Sequence, residues 1–168
     1  KPKLFCLPNP DSPTGSILDP DELETLIKFC DKQNIIILID EAYYPFYDKS
    51  VVAKTINFKN LIVARTFSKA WGLAGLRLGY AVGNPMTIEY YHKIKPMYEI
   101  GSYSIAFIEK AIELEYRMRD SVKRIMAGKE YFINELRYLD FQTLNTEGNF
   151  LHVNFGDKSS LIHSLLKK

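Results

Sequence analysis

The stretch Arg65-Thr66-Phe67-Ser68-Lys69 holds a cation, two hydroxyls and a primary amine within five positions. It follows the apolar run Leu61 to Ala64 and precedes Ala70-Trp71-Gly72-Leu73-Ala74-Gly75-Leu76. Lysine is ordinarily a solvated surface residue. Between a strand end and an apolar run it is expected to be partly desolvated, which makes the amine a better nucleophile toward an aldehyde. Arg77 adds a planar cation suited to bidentate phosphate binding, and Gly72, Gly75 and Gly79 allow tight turns or close backbone approach. Asp40 and Glu41 close a second apolar run, Ile35 to Ile39, and Tyr43 follows with a phenol. The combination reads as an anion-binding, phosphate-type site with a reactive amine attached. Taken singly, Asp40-Glu41 serves equally as a helix cap or a metal ligand, and Tyr43 as core packing. A nucleotide loop is disfavoured, because neither GxxxxGK[ST] nor GxGxxG occurs.

The elements that must carry these residues are legible in outline. Leu4 to Leu7 reads as a buried strand holding Cys6. Pro8 to Asp19 reads as a loop dense in Pro, Asn, Asp, Ser and Gly. Asp19, Pro20 and Glu22 give the signature of a capped helix start, and Leu23, Leu26, Ile27 and Cys30 share one face of that helix. Ile35 to Ile39 has no alternation, as expected of a strand buried on both faces in a parallel sheet. Further strands are expected at Leu61 to Ala64 and Leu78 to Val82, with a helix from Pro85 toward Ile94. Helical periodicity from Ser104 to Leu139 predicts a long helix in two pieces divided near Gly128. Phe141 to Leu144 and Phe150 to Phe155 read as strands, with a last helix capped by Asp157 or Ser159. This is an α/β pattern, with a boundary near residues 98–103. In such sheets ligands sit beyond the carboxyl ends of the strands, where Asp40 and Lys69 both fall.

Composition narrows the partners. The 168 residues suffice for a domain with a core. A formal charge of +2 is too small to point to nucleic acid or a membrane surface. No apolar run approaches the roughly 18 residues of a membrane span, and the first residues do not read as a signal peptide. With both cysteines expected reduced and buried, a cytoplasmic protein is the default. Lys123, Arg124, Lys129, Lys167 and Lys168 read as solvated helix faces. His92, His152 and His163 show no metal-ligand spacing, so no metal is expected. Trp71 reads as packing. Both ends look cut, as though the chain were a piece of something larger.

In order and spacing, Asp40-Glu41-Ala42-Tyr43, Thr66-Phe67-Ser68-Lys69 and Gly75-Leu76-Arg77-Leu78-Gly79-Tyr80 resemble the motifs of class I/II aminotransferases. The nearest flavour is histidinol-phosphate aminotransferase and its relative threonine-phosphate decarboxylase. Asn9-Pro10-Asp11-Ser12-Pro13-Thr14-Gly15 and Glu147-Gly148-Asn149-Phe150 resemble two further motifs of that group. The resemblance implies part of a three-layer α/β/α domain with a mainly parallel sheet (residues 1–100). A long helix and part of a smaller α+β C-terminal subdomain (101–168) would follow. It implies pyridoxal 5′-phosphate (PLP) as cofactor, with Lys69 forming the internal aldimine and later shuttling a proton. Asp40 would pair with the pyridine nitrogen and Tyr43 with the ring 3′-oxygen. Thr66, Ser68 and Arg77 would hold the phosphate, and Asn149 would lie near the substrate.

Ser12 stands where the family usually has Asn, a longer donor to the same ring oxygen. The implied reaction moves an amino group from a small-molecule donor to a keto or aldehyde acceptor, phosphorylated in the histidinol-phosphate case. Two alternatives are a decarboxylase of a phospho-amino acid and a non-catalytic ligand sensor. The family's glycine-rich phosphate turn, stacking aromatic and substrate-carboxylate Arg are not in this chain. The resemblance therefore implies a protein about twice as long, active as a homodimer only when intact.

Overall fold

A computed structural model describes residues 2–97, 100–144 and 146–167. Strands β1 (Leu4–Pro8), β2 (Ile36–Asp40), β3 (Leu61–Thr66) and β4 (Gly79–Gly83) form one sheet in the order β1-β2-β3-β4. The first three run parallel, and β4 runs against β3. The α/β class and the mainly parallel sheet are those expected from the sequence.

Helix α1 (Pro20–Lys32) starts where the sequence places it. Asp19 Oδ1 accepts from the Asp21 and Glu22 amides, both at 2.9 Å, and Glu22 Oε2 accepts from the Asp19 amide at 2.9 Å. Such a box satisfies orphan amides of the first turn and contributes about 1 kcal/mol. Leu23, Ile27 and Cys30 of α1 pack on Ile37, Ile39, Leu61 and Val63, which form the main core.

The other sheet face departs from expectation. Ile36 is exposed and Leu38 half-buried, so β2 is buried on one face rather than two. Leu4, Phe5 and Cys6 in β1 are exposed as well. The cause is position, since β1 has β2 as its only paired neighbour among the described residues and α1 covers the opposite face. Cys30 is buried as anticipated.

Helix α2 (Pro85–Ile94) opens on an Asn84 cap. The boundary predicted near 98–103 falls partly on Tyr98 and Glu99, outside the described residues. Helices α3 (Ser102–Glu113) and α4 (Glu115–Tyr138) divide at Leu114, not at Gly128. At Leu114 the backbone leaves helical angles (φ −104°, ψ 25°) and its amide donates to Ala111 O at 2.9 Å, one residue short of the regular helical partner. Gly128 lies inside α4, where glycine costs about 1 kcal/mol relative to alanine without ending a helix.

Two short strands, β5 (Gln142–Leu144) and β6 (His152–Asn154), pair antiparallel. A 3-10 turn at Gly156–Lys158 leads into α5 (Ser159–Leu166). Neither Asp157 nor Ser159 caps that helix. The capping position is Lys158, and Ser159 Oγ donates instead to Gly156 O at 2.7 Å. The continuous turn leaves no extended residue to act as a cap.

Candidate active site

Because β1, β2 and β3 are parallel, their carboxyl ends share one rim, and the residues following them meet there. Asp40 ends β2 beside Pro8 and Ala64 in register. Its Oδ1 accepts the Ala42 amide at 2.9 Å, which fixes the carboxylate's orientation. Thr66 ends β3, and Ser68 and Lys69 follow at once. Since β4 is reversed, its start lies beside the end of β3: Thr66 pairs with Gly79, and the Phe67 amide donates to Leu78 O at 3.1 Å. Arg77, one residue earlier, is thereby delivered to the same rim. A Cβ at Gly79 would sit 2.7 Å from Arg65 O, so only glycine permits this close approach.

Asp40, Thr66, Ser68, Lys69 and Arg77 line one open pocket of about 550 Å³. The Thr66 hydroxyl donates to Leu78 O at 3.3 Å and accepts from the Ser68 amide at 3.1 Å, bracing the turn that carries Ser68. Arg77 adopts the left-handed region at φ 53°, ψ 40°, with its guanidinium donating to Ala74 O at 3.1 Å. A non-glycine residue there is strained, and such strain concentrates at functional positions. Lys69 and Arg77 are both exposed, so the partial desolvation expected of Lys69 is not seen in this chain. The pocket walls come from strand ends on one side, and among the described residues nothing roofs them.

Tyr43 and Ser12 stand beside this pocket. Tyr43 is buried, with the Lys69 Nζ 5.3 Å from its ring centre. Its hydroxyl reaches Ser12 Oγ at 3.5 Å, a long contact for a hydrogen bond. Asn149 is exposed on the turn before β6 and is not in the pocket wall. Its neighbour Phe150 meets the Tyr43 ring edge-on at 5.3 Å, which brings that turn against the site. From α4, Met118 and Val122 pack with Tyr43, Phe46 and Ala70 in a second cluster that Trp71 and Phe150 extend. Trp71 thus serves packing, as read from the sequence.

Two arrangements went unread in the sequence. Glu41, 3% exposed, accepts from Arg65 Nε at 3.0 Å and Nη2 at 2.8 Å, and also from Ser50 Oγ and the Val51 amide. Burial alone would lower the Arg65 pKa. The Tyr80 hydroxyl and the Glu41 carboxylate outweigh it and hold Arg65 above its usual range. Behind this pair lies a second cavity of about 450 Å³, walled by Tyr44, Phe67, Trp71 and Tyr80. The other arrangement is at Lys129. Lys123 and Arg124 are exposed as expected, but Lys129 is half-buried and fully engaged rather than solvated. No local pattern marks it, because its partners are backbone oxygens 17 and 19 positions away.

The α/β sheet thus brings a lysine, a carboxylate and an arginine with left-handed backbone to one carboxyl rim. The sequence pattern described as "Aminotransferase class I and II" matches residues 1–168, and the chain belongs to that family. It is 38% identical over 169 residues to a histidinol-phosphate aminotransferase of Thermoanaerobacter pseudethanolicus, covering all of this chain and 47% of that protein. The chain therefore spans about half the length of the curated relatives it matches.

Among solved structures, the Sinorhizobium meliloti histidinol-phosphate aminotransferase in complex with pyridoxal-5′-phosphate superposes with a TM-score of 0.80. It is 26% identical, with 98% of this chain and 45% of that one covered. The histidinol-phosphate aminotransferase of Clostridium acetobutylicum gives a TM-score of 0.83 at 23% identity, covering 98% of this chain and 52% of that one, and attests the fold alone. The fold is that of PLP-dependent aminotransferases, represented here in part.

Proposed function

We propose that this chain is the cofactor-holding part of a PLP-dependent aminotransferase that acts on a small phosphorylated substrate of the histidinol-phosphate type. The observation that carries this reading is the convergence of Asp40, Thr66, Ser68, Lys69 and Arg77 on one pocket. That donor set fits the cofactor: an amine for its aldehyde, a carboxylate for its ring nitrogen, and hydroxyl and guanidinium donors for its phosphate. Bound there, PLP supplies an electron sink for the substrate Cα.

In this reading, Lys69 would hold the cofactor through its amine, and that amine would carry a proton at the substrate Cα. Asp40, oriented by the Ala42 amide, keeps the ring nitrogen protonated. Ser68 and Arg77 grip the phosphate, with Thr66 bracing the turn. The Tyr43 hydroxyl and Ser12 would serve the ring 3′-oxygen, Ser12 less well because its side chain is short. Asn149 meets the substrate, an amino donor or its keto or aldehyde partner. Residues 1–100 belong to the cofactor-binding large domain and 101–168 to the long helix and part of the small subdomain. The intact protein is a homodimer in the cytoplasm. The exposed apolar side chains of α2 and α3, among them Tyr90, Ile94, Tyr103 and Phe107, support an assembly. Among the described residues no helix is long and apolar enough to cross a membrane.

The test is the visible absorbance of the intact protein with PLP, before and after L-glutamate. A band lost on adding glutamate, and absent in Lys69→Ala, is the expected result. A band that no amino donor alters would favour decarboxylation, and no band in the unsubstituted protein would sink the enzyme reading.

A further inference from the structure

The turn that carries Asn149 receives three hydrogen bonds from one ammonium group. Lys129, on α4, donates to Thr146 O at 2.6 Å, Thr146 Oγ1 at 2.8 Å and Gly148 O at 2.8 Å. A lysine ammonium has three protons, and three acceptors take them. Thr146, 3% exposed, also donates its hydroxyl to Phe150 O, so the turn closes around the lysine tip.

The same turn is fastened to the loop that carries Ser12. The Glu147 amide donates to Gly15 O at 2.9 Å. His152 Nε2 meets Pro13 O at 2.5 Å. A Cβ on Gly15 would fall 2.3 Å from the Thr146 Cβ, so the two loops are in contact with no room between them. Ser12 and Asn149, far apart in the sequence, thus belong to one stitched unit, tied to α4 by the Lys129 hydrogen bonds and by Phe150 packing near Met118 and Val122.

We propose that Lys129 is a positioning residue that fixes the Asn149 turn and the Ser12 loop as one piece on the substrate side of the site. The proposal rests on the functional reading above for what Asn149 and Ser12 face, but the clamp itself is a statement about structure. Lysine suits the task because its donors are tetrahedral and rotatable, whereas the donors of arginine lie in one plane. Burial lowers the Lys129 pKa from its usual value, while the carboxylate of Glu147 acts in the opposite sense. The hydrogen bonds to Thr146 and Gly148 use all three protons of the charged form.

The experiment compares Lys129→Met with Lys123→Met, a control on the exposed face of α4, in the intact protein loaded with PLP. Methionine keeps length and packing but leaves three oxygens without a donor. Amide hydrogen exchange at Glu147, read without reference to activity, is expected to speed by tenfold or more in Lys129→Met and not in the control. Steady-state kinetics should show KM for the amino donor raised about tenfold with kcat changed less, and the cofactor band retained. Unchanged exchange at Glu147 overturns the clamp. Faster exchange with KM unaltered and only a smaller active fraction overturns its positioning role and leaves a structural one. An unsubstituted protein that shows no cofactor band would overturn the functional reading instead, and the exchange data would still decide the clamp.

Discussion

In the function proposed, Arg77 concentrates the conflict between folding and binding in one residue. Its left-handed backbone is one that glycine adopts freely and arginine does not. Arg77→Gly should therefore raise the stability of the cofactor-free protein by about 1 kcal/mol, read as a higher urea midpoint. It should also weaken PLP binding, read as a loss of the visible band at limiting cofactor. A variant that is both less stable and equally well bound would mean that Arg77 is held by contacts other than the phosphate. Sequence reading found Arg77 because its type and spacing survive in the linear chain. It did not find Lys129, because an amine meeting three backbone or hydroxyl oxygens leaves no mark until two distant segments fold together. Lys69 was found as well, but its exposure was not, since the walls around a residue are set by segments that its own neighbourhood does not specify.

At the scale of elements, strands are pinned at the site end by charge as well as by their ladder. The Glu41–Arg65 pair joins the end of β2 to β3, and Ser50 and Val51 of the following loop complete the carboxylate's shell. Replacing Glu41 with Ala leaves a guanidinium that is 13% exposed without its partner. We expect a loss of about 3–5 kcal/mol, measured by urea unfolding at neutral pH. A loss below about 1 kcal/mol would show that Tyr80 and Tyr44 suffice for Arg65. The start of α1 was legible because Asp19, Pro20 and Glu22 act within four residues. The break between α3 and α4 was not, because nothing in the chemistry of Leu114 forbids helix. The exposure of β1 was missed for another reason: apolar composition signals a strand, but whether that strand is an edge depends on its neighbours.

Across the whole molecule, the N-terminal α/β part and the C-terminal helix-and-strand part meet in the cluster around Tyr43 and Met118 and again where Gly15 touches Thr146. Gly15 has φ +71° and no space for a Cβ, so Gly15→Ala must distort both loops. We expect it to cost about 3 kcal/mol in unfolding experiments, and to raise KM for the amino donor while the cofactor band persists. If the band disappears with the affinity, the two loops and the Lys69 pocket are one rigid body rather than two joined ones. The reversal of β4 has a consequence of a different kind. Its pairing with β3 returns the chain to the rim it left, so the segment from Ser68 to Arg77 is a closed excursion with both ends anchored by the ladder. Gly72, at its outer bend, has open space around it. Lineages could lengthen or shorten that bend without shifting the strand register, and so remodel the mouth of the site while leaving its two anchoring residues in place.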